Sequence, residues 1–231
     1  MVERHSSWLL RIWRDWLRSV LVIVVAVTAF RSAVADWNDV PTGSMKPTIL
    51  EGDRIVVNKL AYDLKVPYTH WRLAQWANPA RGDIVVLLSP ADGRRLVKRV
   101  VGLPGDTIAM VSNQLVVNGK PVSYLPVEPD LVQAFQPDGD NRLLATEELG
   151  DEPHAVMITL GARTLKSFPP IAVPDEQYFL MGDNRDESFD SRYFGFVDRE
   201  LIIGQALAIA GSVDPDHYYW PRWKRFFTGL K

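Results

Sequence analysis

Hydrophobic and polar positions divide the chain into two regimes. Ser19–Phe30 is uncharged and apolar on every side, a pattern that suits lipid better than one face of a soluble core. Beyond it the pattern changes to short β-branched or alternating runs: Arg54-Ile55-Val56-Val57-Asn58, Asp83-Ile84-Val85-Val86-Leu87-Leu88, Leu96-Val97-Lys98-Arg99-Val100-Val101, Gln114-Leu115-Val116-Val117-Asn118 and Gln177-Tyr178-Phe179-Leu180-Met181. Turn residues such as Glu51-Gly52-Asp53, Arg81-Gly82-Asp83 and Pro104-Gly105-Asp106 bound them, which predicts strands joined by tight turns. Val117-Asn118-Gly119-Lys120 carries the hairpin dipeptide Asn-Gly. The expected fold is mainly β with few helices.

The apolar segment is short for a membrane span, which wants about twenty residues. Arg18 and Arg31 at its ends can snorkel to the interface, and Trp8, Trp13 and Trp16 suit an aromatic belt. A tilted or short span near residues 14–34 therefore fits. A cleavable signal peptide ending at Ala33-Val34-Ala35 fits the same pattern. The residues alone leave both readings open. Either way, Arg4, Arg11, Arg14 and Arg18 keep the N-terminus cytoplasmic and place residues 37–231 outside.

Two stretches lack a period. Residues 61–79 are aromatic (Tyr62, Tyr68, Trp71, Trp76) and predict a loop with one helical turn. Residues 126–153 are rich in proline and acid and predict an insertion on the surface. The tail His217–Lys231 mixes aromatic and basic groups. Tyr218–Trp223 is expected to pack on its own domain, and the remainder is free to touch lipid.

Composition narrows the chemistry. With 26 basic against 28 acidic residues in 231, nothing favours a polyanion, and nucleic acid is not an expected partner. The absence of cysteine removes disulfides, thiolate metal sites and cysteine nucleophiles. His5, His70, His154 and His217 show no metal spacing and no partner motif near a serine.

What remains is a serine and a lysine. Ser44 lies in Pro41-Thr42-Gly43-Ser44-Met45-Lys46-Pro47-Thr48, shortly after the apolar segment. A serine beside glycine is usually a turn former, and most lysines are solvated. Lys98, however, lies inside an apolar run, where strand alternation sets it on the side of Leu96 and Val100. Burial there would lower its pKa and leave a neutral amine able to activate a serine. A third block, Gly182-Asp183-Asn184-Arg185-Asp186-Glu187-Ser188-Phe189-Asp190-Ser191-Arg192, reads either as a charged surface loop or as a preorganised loop buttressing a site.

Taken together, these three blocks resemble those of type I signal peptidases, the bacterial leader peptidases of the Ser–Lys class. Gly52-Asp53, Arg81-Gly82-Asp83-Ile84-Val85, Val101-Gly102-Leu103-Pro104-Gly105-Asp106 and Tyr193-Phe194-Gly195-Phe196-Val197 resemble the same family. The likeness runs in order from about residue 18 to 213. It implies an antiparallel, barrel-like β domain behind one N-terminal transmembrane helix. It also implies Ser44 as nucleophile, Lys98 as general base, the Ser44 N–H and the Thr42 hydroxyl as oxyanion hole, and Ser188 as orienter of Lys98. Arg99, Asp183, Asp190 and Arg192 would form a supporting ionic network, and Met45 would line the substrate pocket. The expected activity is removal of signal peptides after small-x-small sites, with no metal or nucleotide.

The family keeps its apolar segment, so the resemblance favours an uncleaved anchor. The expected division is a cytoplasmic N-terminus (1–13), a transmembrane anchor (14–36), a catalytic β domain (37–216, with a modest insertion within 107–176) and a tail (217–231). The expected setting is the bacterial inner (plasma) membrane, crossed once, with the catalytic domain on the periplasmic side. Preproteins emerging from the translocation machinery, and the lipid bilayer, are the expected partners of a monomer. Rival readings are a Ser–Lys protease dedicated to one conjugation or secretion substrate, a self-cleaving repressor, and a non-catalytic β binding module.

Overall fold

The computed structural model describes residues 3–69, 71–135 and 141–230. Helix α1 (Glu3–Ala33) includes the 18-residue apolar window Trp16–Ala33, of which only 6% is buried against the protein. The helix ends three residues before the limit expected from the sequence, because Asp36 already belongs to a strand, β1 (Ala35–Asp39). The joint between them is closed on all sides. Lys59 Nζ donates to the carbonyls of Arg31 at 2.7 Å and Ser32 at 3.2 Å, and Lys59 N–H donates to the Val34 carbonyl at 2.9 Å. A lysine at a helix C-terminus satisfies carbonyls that have no partner within the helix. Arg31 then turns back onto Asp36 at 2.8 Å and covers the Trp37 ring at 4.4 Å.

The five expected runs form β2 (Asp53–Asn58), β3 (Ile84–Leu88), β4 (Arg95–Gly102), β6 (Gln114–Val117) and β10 (Gln177–Met181), and six strands join them: β5 (Thr107–Val111), β7 (Arg142–Glu147), β8 (His154–Thr159), β9 (Phe168–Ala172), β11 (Val197–Asp198) and β12 (Ile202–Asp214). The main antiparallel sheet has the order β1-β2-β12-β3-β4-β10-β11. It curls because β12 shifts register against both neighbours, near Gly204, Leu207 and Ala210, and β10 shifts once against β4. Such bulges bend a strand and increase its twist. Val86, Ile84 and Val57 bury one face with Met45 and Ile49, while Val85, Leu87, Val100 and Leu180 bury the other. Strand alternation is thus used on both faces.

A second layer rests on the outer strands. β9, β5 and β6 form one small sheet with Lys120–Pro121, and β7 and β8 pair with Tyr124–Leu125 in another. Asn118 and Gly119 both have positive φ, 51° and 75°, as the predicted Asn-Gly turn requires. The reading of 126–153 as a surface insertion fails at Glu147 and Leu149, which are buried, while its other described residues are exposed or half-buried. Glu147 is fully buried, and its carboxylate receives both terminal Arg185 nitrogens, at 2.7 and 2.6 Å. Its charge resembled surface until a buried partner from a distant loop was in place. The irregular stretch 61–79 is also more ordered than expected: Asp63–Lys65 pairs with Arg72–Gln75 as a hairpin. The tail packs on its own domain through Trp220–Pro221 and Thr228–Gly229, which pair with β12, and through Arg225 on Asp53 at 2.6 Å.

Candidate active site

Ser44 sits in a single 3-10 turn, Gly43–Met45, just after β1. Met45 drops into the core beside Val40 and Ile49, which fixes the backbone while the Ser44 side chain borders a groove of about 490 Å³. Thr42 stands exposed at the same groove, and Val86, Leu96, Val97 and Lys98 line its other side. Met45 lies in the groove lining and is almost wholly buried there.

Lys98 lies in β4 opposite Val85 of β3 and is 2% exposed. Its Nζ is 2.6 Å from Ser44 Oγ. Burial drives its pKa down to about 8, against the pull of the Asp190 and Asp183 carboxylates and with the help of Arg192. Desolvation prevails because the ammonium loses more hydration than the two carboxylates, each already paired with an arginine, return to it.

The loop after β10 closes the site from the third side. A Cβ on Gly182 would come within 3.0 Å of both the Ser44 carbonyl and the Ser188 hydroxyl, so only glycine admits this approach. Asn184 N–H donates to the Ser44 carbonyl at 3.1 Å, and Asn184 Nδ2 donates to the Gly43 carbonyl at 3.1 Å. The second bond fixes the planar Gly43–Ser44 peptide, and with it the direction of the Ser44 N–H.

Buried ion pairs hold this loop. Arg99 meets Asp183 through two 2.8 Å bonds and donates to the Gly82 carbonyl at 2.7 Å, while Thr48 donates to Asp183 at 2.5 Å. Burial raises the Asp183 pKa, yet Arg99 overcomes it and holds the carboxyl below its ordinary value. Asp190 receives Arg192 in a second pair, again through two 2.8 Å bonds, and accepts the Gly182 N–H at 3.0 Å. The expected single network is therefore two pairs, linked through the Gly182–Asp183 backbone.

Ser188 departs from expectation. Its hydroxyl is buried without a hydrogen-bond partner and makes no bond to Lys98, whose amine is directed at Ser44. It lies against Gly182. Burial raises the Asp190 pKa, yet Arg192, with Ser188 adding a smaller pull, holds that carboxyl below its ordinary value. Among the described residues no group of three or more His, Asp or Glu is placed to hold a metal ion.

The family described as signal peptidase, peptidase S26, matches residues 13–210. Signal peptidase I of Pseudomonas fluorescens is 34% identical over 209 residues, covering 84% of this chain and 71% of its own length. That of Pseudomonas aeruginosa is 33% identical and covers 91% of this chain and 77% of its own. The chain belongs to the signal peptidase family, S26. It is a hydrolase, a serine endopeptidase. Among solved structures, a signal peptidase I from Enterococcus faecalis V583 is 34% identical, covers 56% of this chain and 97% of its own, and superposes with a TM-score of 0.35.

In this family member, sequence reasoning missed two parts of the site. Asn184 was hidden within a charged run, with no signal that its amide faces the Ser44 turn. His154 was set aside, yet it is buried with Nε2 3.4 Å from Glu147 and 3.9 Å from Asp183, joining two of the carboxylates behind the loop. The His5 side chain and all of His70 lie outside the described residues. His217 is exposed on Asp214 in the tail.

Proposed function

We propose that this signal peptidase uses Ser44 and Lys98 to cut signal peptides from preproteins, after small-x-small sequences. The neutral Lys98 amine takes the Ser44 proton as Oγ attacks the scissile carbonyl. The Ser44 N–H and the Thr42 hydroxyl receive the developing oxyanion. Lys98 then protonates the leaving amine, and an acyl-enzyme remains on Ser44. Water, deprotonated by Lys98, releases the signal peptide. Arg99, Asp183, Asp190 and Arg192 support the loop rather than react. The reading rests on the 2.6 Å contact between Lys98 Nζ and Ser44 Oγ, made by an amine removed from water.

In the proposed topology α1 crosses a bacterial plasma membrane once, as the 14–36 anchor, with residues 1–13 cytoplasmic. Residues 37–216 work outside as a monomer, on preproteins leaving the translocation machinery. The exposed apolar surface of Trp16–Ala33 and the arginines that precede it support this arrangement. Incubated with a preprotein, the purified full-length chain is expected to make one cut after a small residue, read by N-terminal sequencing. An acylating penem is expected to add its mass to Ser44. Cleavage after large residues, or an unmodified Ser44, would overturn the assignment.

The amine also sets a pH dependence. Lys98 acts as a base only when unprotonated, so activity falls as pH drops below its pKa of about 8. At pH 7 about one molecule in ten carries the neutral amine, against roughly one in three thousand at an ordinary lysine pKa. kcat/KM is expected to rise about tenfold per pH unit between pH 5.5 and 7.5 and to level off above pH 8.5. A profile flat across that range would exclude Lys98 as the base.

A further inference from the structure

The hairpin Asp63–Lys65/Arg72–Gln75 reaches back along α1. At its tip, Tyr68 OH is 2.5 Å from Thr28 Oγ1 and 3.2 Å from the Val25 carbonyl, and Tyr68 N–H donates to Ser32 Oγ at 2.8 Å. Thr28 and Val25 precede the helix end at Ala33. At about 1.5 Å per residue they lie roughly 8 and 12 Å below it. A soluble domain resting above a bilayer would not send a loop that far along its own anchor.

The side chains of the hairpin are sorted in an unusual way. Its charged groups turn inward: Asp63 is buried and receives Arg72 at 3.2 Å and Arg199 at 3.1 Å, while Lys65 donates to the Ile202 carbonyl at 3.0 Å. Its large apolar groups turn outward, with Tyr68 63%, Trp71 77%, Leu73 66% and Trp76 54% exposed. This inverts the arrangement expected for a hairpin in water, where charged residues guard an exposed edge. Four large apolar side chains exposed on one short hairpin mark a surface that meets something apolar. The occupant follows from continuity, because the patch adjoins the exposed apolar surface of α1 through the Tyr68 contacts.

We propose that this hairpin is a second membrane element, seated in the interfacial layer of the outer leaflet, with Trp71 and Leu73 in contact with acyl chains. The inference rests on the reading that α1 spans the bilayer. Aromatic rings suit that depth because one end is apolar and the other tolerates water. Tyr68 couples the two elements, so the depth of the hairpin is fixed relative to the helix. The lipid-facing contact is therefore made by two separate parts of the chain, and the domain cannot swivel freely about α1.

The chain has no cysteine, so an introduced one can be labelled alone. Full-length Trp71→Cys, Leu73→Cys, Val22→Cys and Asp151→Cys would each carry an environment-sensitive nitrobenzoxadiazole and be reconstituted into phosphatidylcholine–phosphatidylglycerol vesicles. Lipids bearing a nitroxide near the headgroup end of the acyl chain are the quencher. The label at 71 and at 73 is expected to lose fluorescence to the quencher, as the helix label at 22 does, while that at Asp151, on an exposed loop, does not. If positions 71 and 73 behave like 151 while 22 is quenched, the hairpin inference fails and the anchor stands. If 22 also escapes quenching by nitroxides at any acyl depth, the anchor reading fails and the hairpin inference falls with it.

Discussion

Ser44→Ala and Lys98→Ala are each expected to lower kcat/KM for signal-peptide cleavage by about four orders of magnitude, roughly 5.5 kcal/mol of transition-state stabilisation. Without Ser44 there is no atom to acylate. Without Lys98 the hydroxyl keeps its proton, because no other base comes as close: Lys98 Nζ at 2.6 Å is the group paired with Ser44 Oγ among the described residues. The two act as one unit, so the double variant is expected to be no slower than either single one. Neither change disturbs the fold, since Ser44 is only partly buried and Lys98 carries an unfavourable desolvation that its removal relieves. Unchanged circular dichroism beside lost cleavage would confirm a chemical role. A tenth or more of normal activity in either variant would refute the dyad.

Asp183→Ala is expected to destabilise the protein by about 3–5 kcal/mol, because it leaves the Arg99 guanidinium buried and uncompensated. Arg99 is 1% exposed, and both of its short carboxylate contacts go to Asp183. In a domain of this size the melting midpoint should fall by roughly 6–20 °C. Cleavage should also weaken, because Asp183 stands between Gly182 and Asn184, which pack on and bond to the Ser44 turn. The double variant Arg99→Leu/Asp183→Leu is expected to lose less stability than Asp183→Ala, since no lone charge remains buried. Melting in detergent, followed by circular dichroism, separates these outcomes. Equal losses in the single and double variants would mean that packing, not the pair, matters at this position.

The burial of Lys98 was legible in the sequence because alternation within β4 gave it an apolar setting. β2, β3, β4, β6 and β10 were legible for the same reason. β12 was not, although it lies at the centre of the main sheet. Its register shifts interrupt the period of two, and Gly204, Ala206, Ala208, Ala210 and Gly211 dilute its β-branched character. Glu147 and Arg185 misled for a different reason. A charged residue reads as solvated until its partner is known, and here the partners are 38 positions apart. The Ser188 contact expected from the family resemblance is not made, because side-chain direction within a loop is set by neighbours that motif spacing does not encode.

The closed joint between α1 and β1 has one more consequence. Only Val34 separates the helix from the strand, and Lys59, Arg31 and Asp36 lock it. On the proposed mechanism and topology, Ser44 would stand at a fixed altitude and could not be lowered or raised to meet a bond. If the cut follows small-x-small sequences as proposed, such sequences in folded exported domains would need sparing by something other than pocket shape. A rigid stand-off would spare them by reach: a peptide would be cut only where its own membrane segment delivers it to that level. On the proposed topology the helix would act as a ruler, and discrimination would be exercised by length as well as by shape.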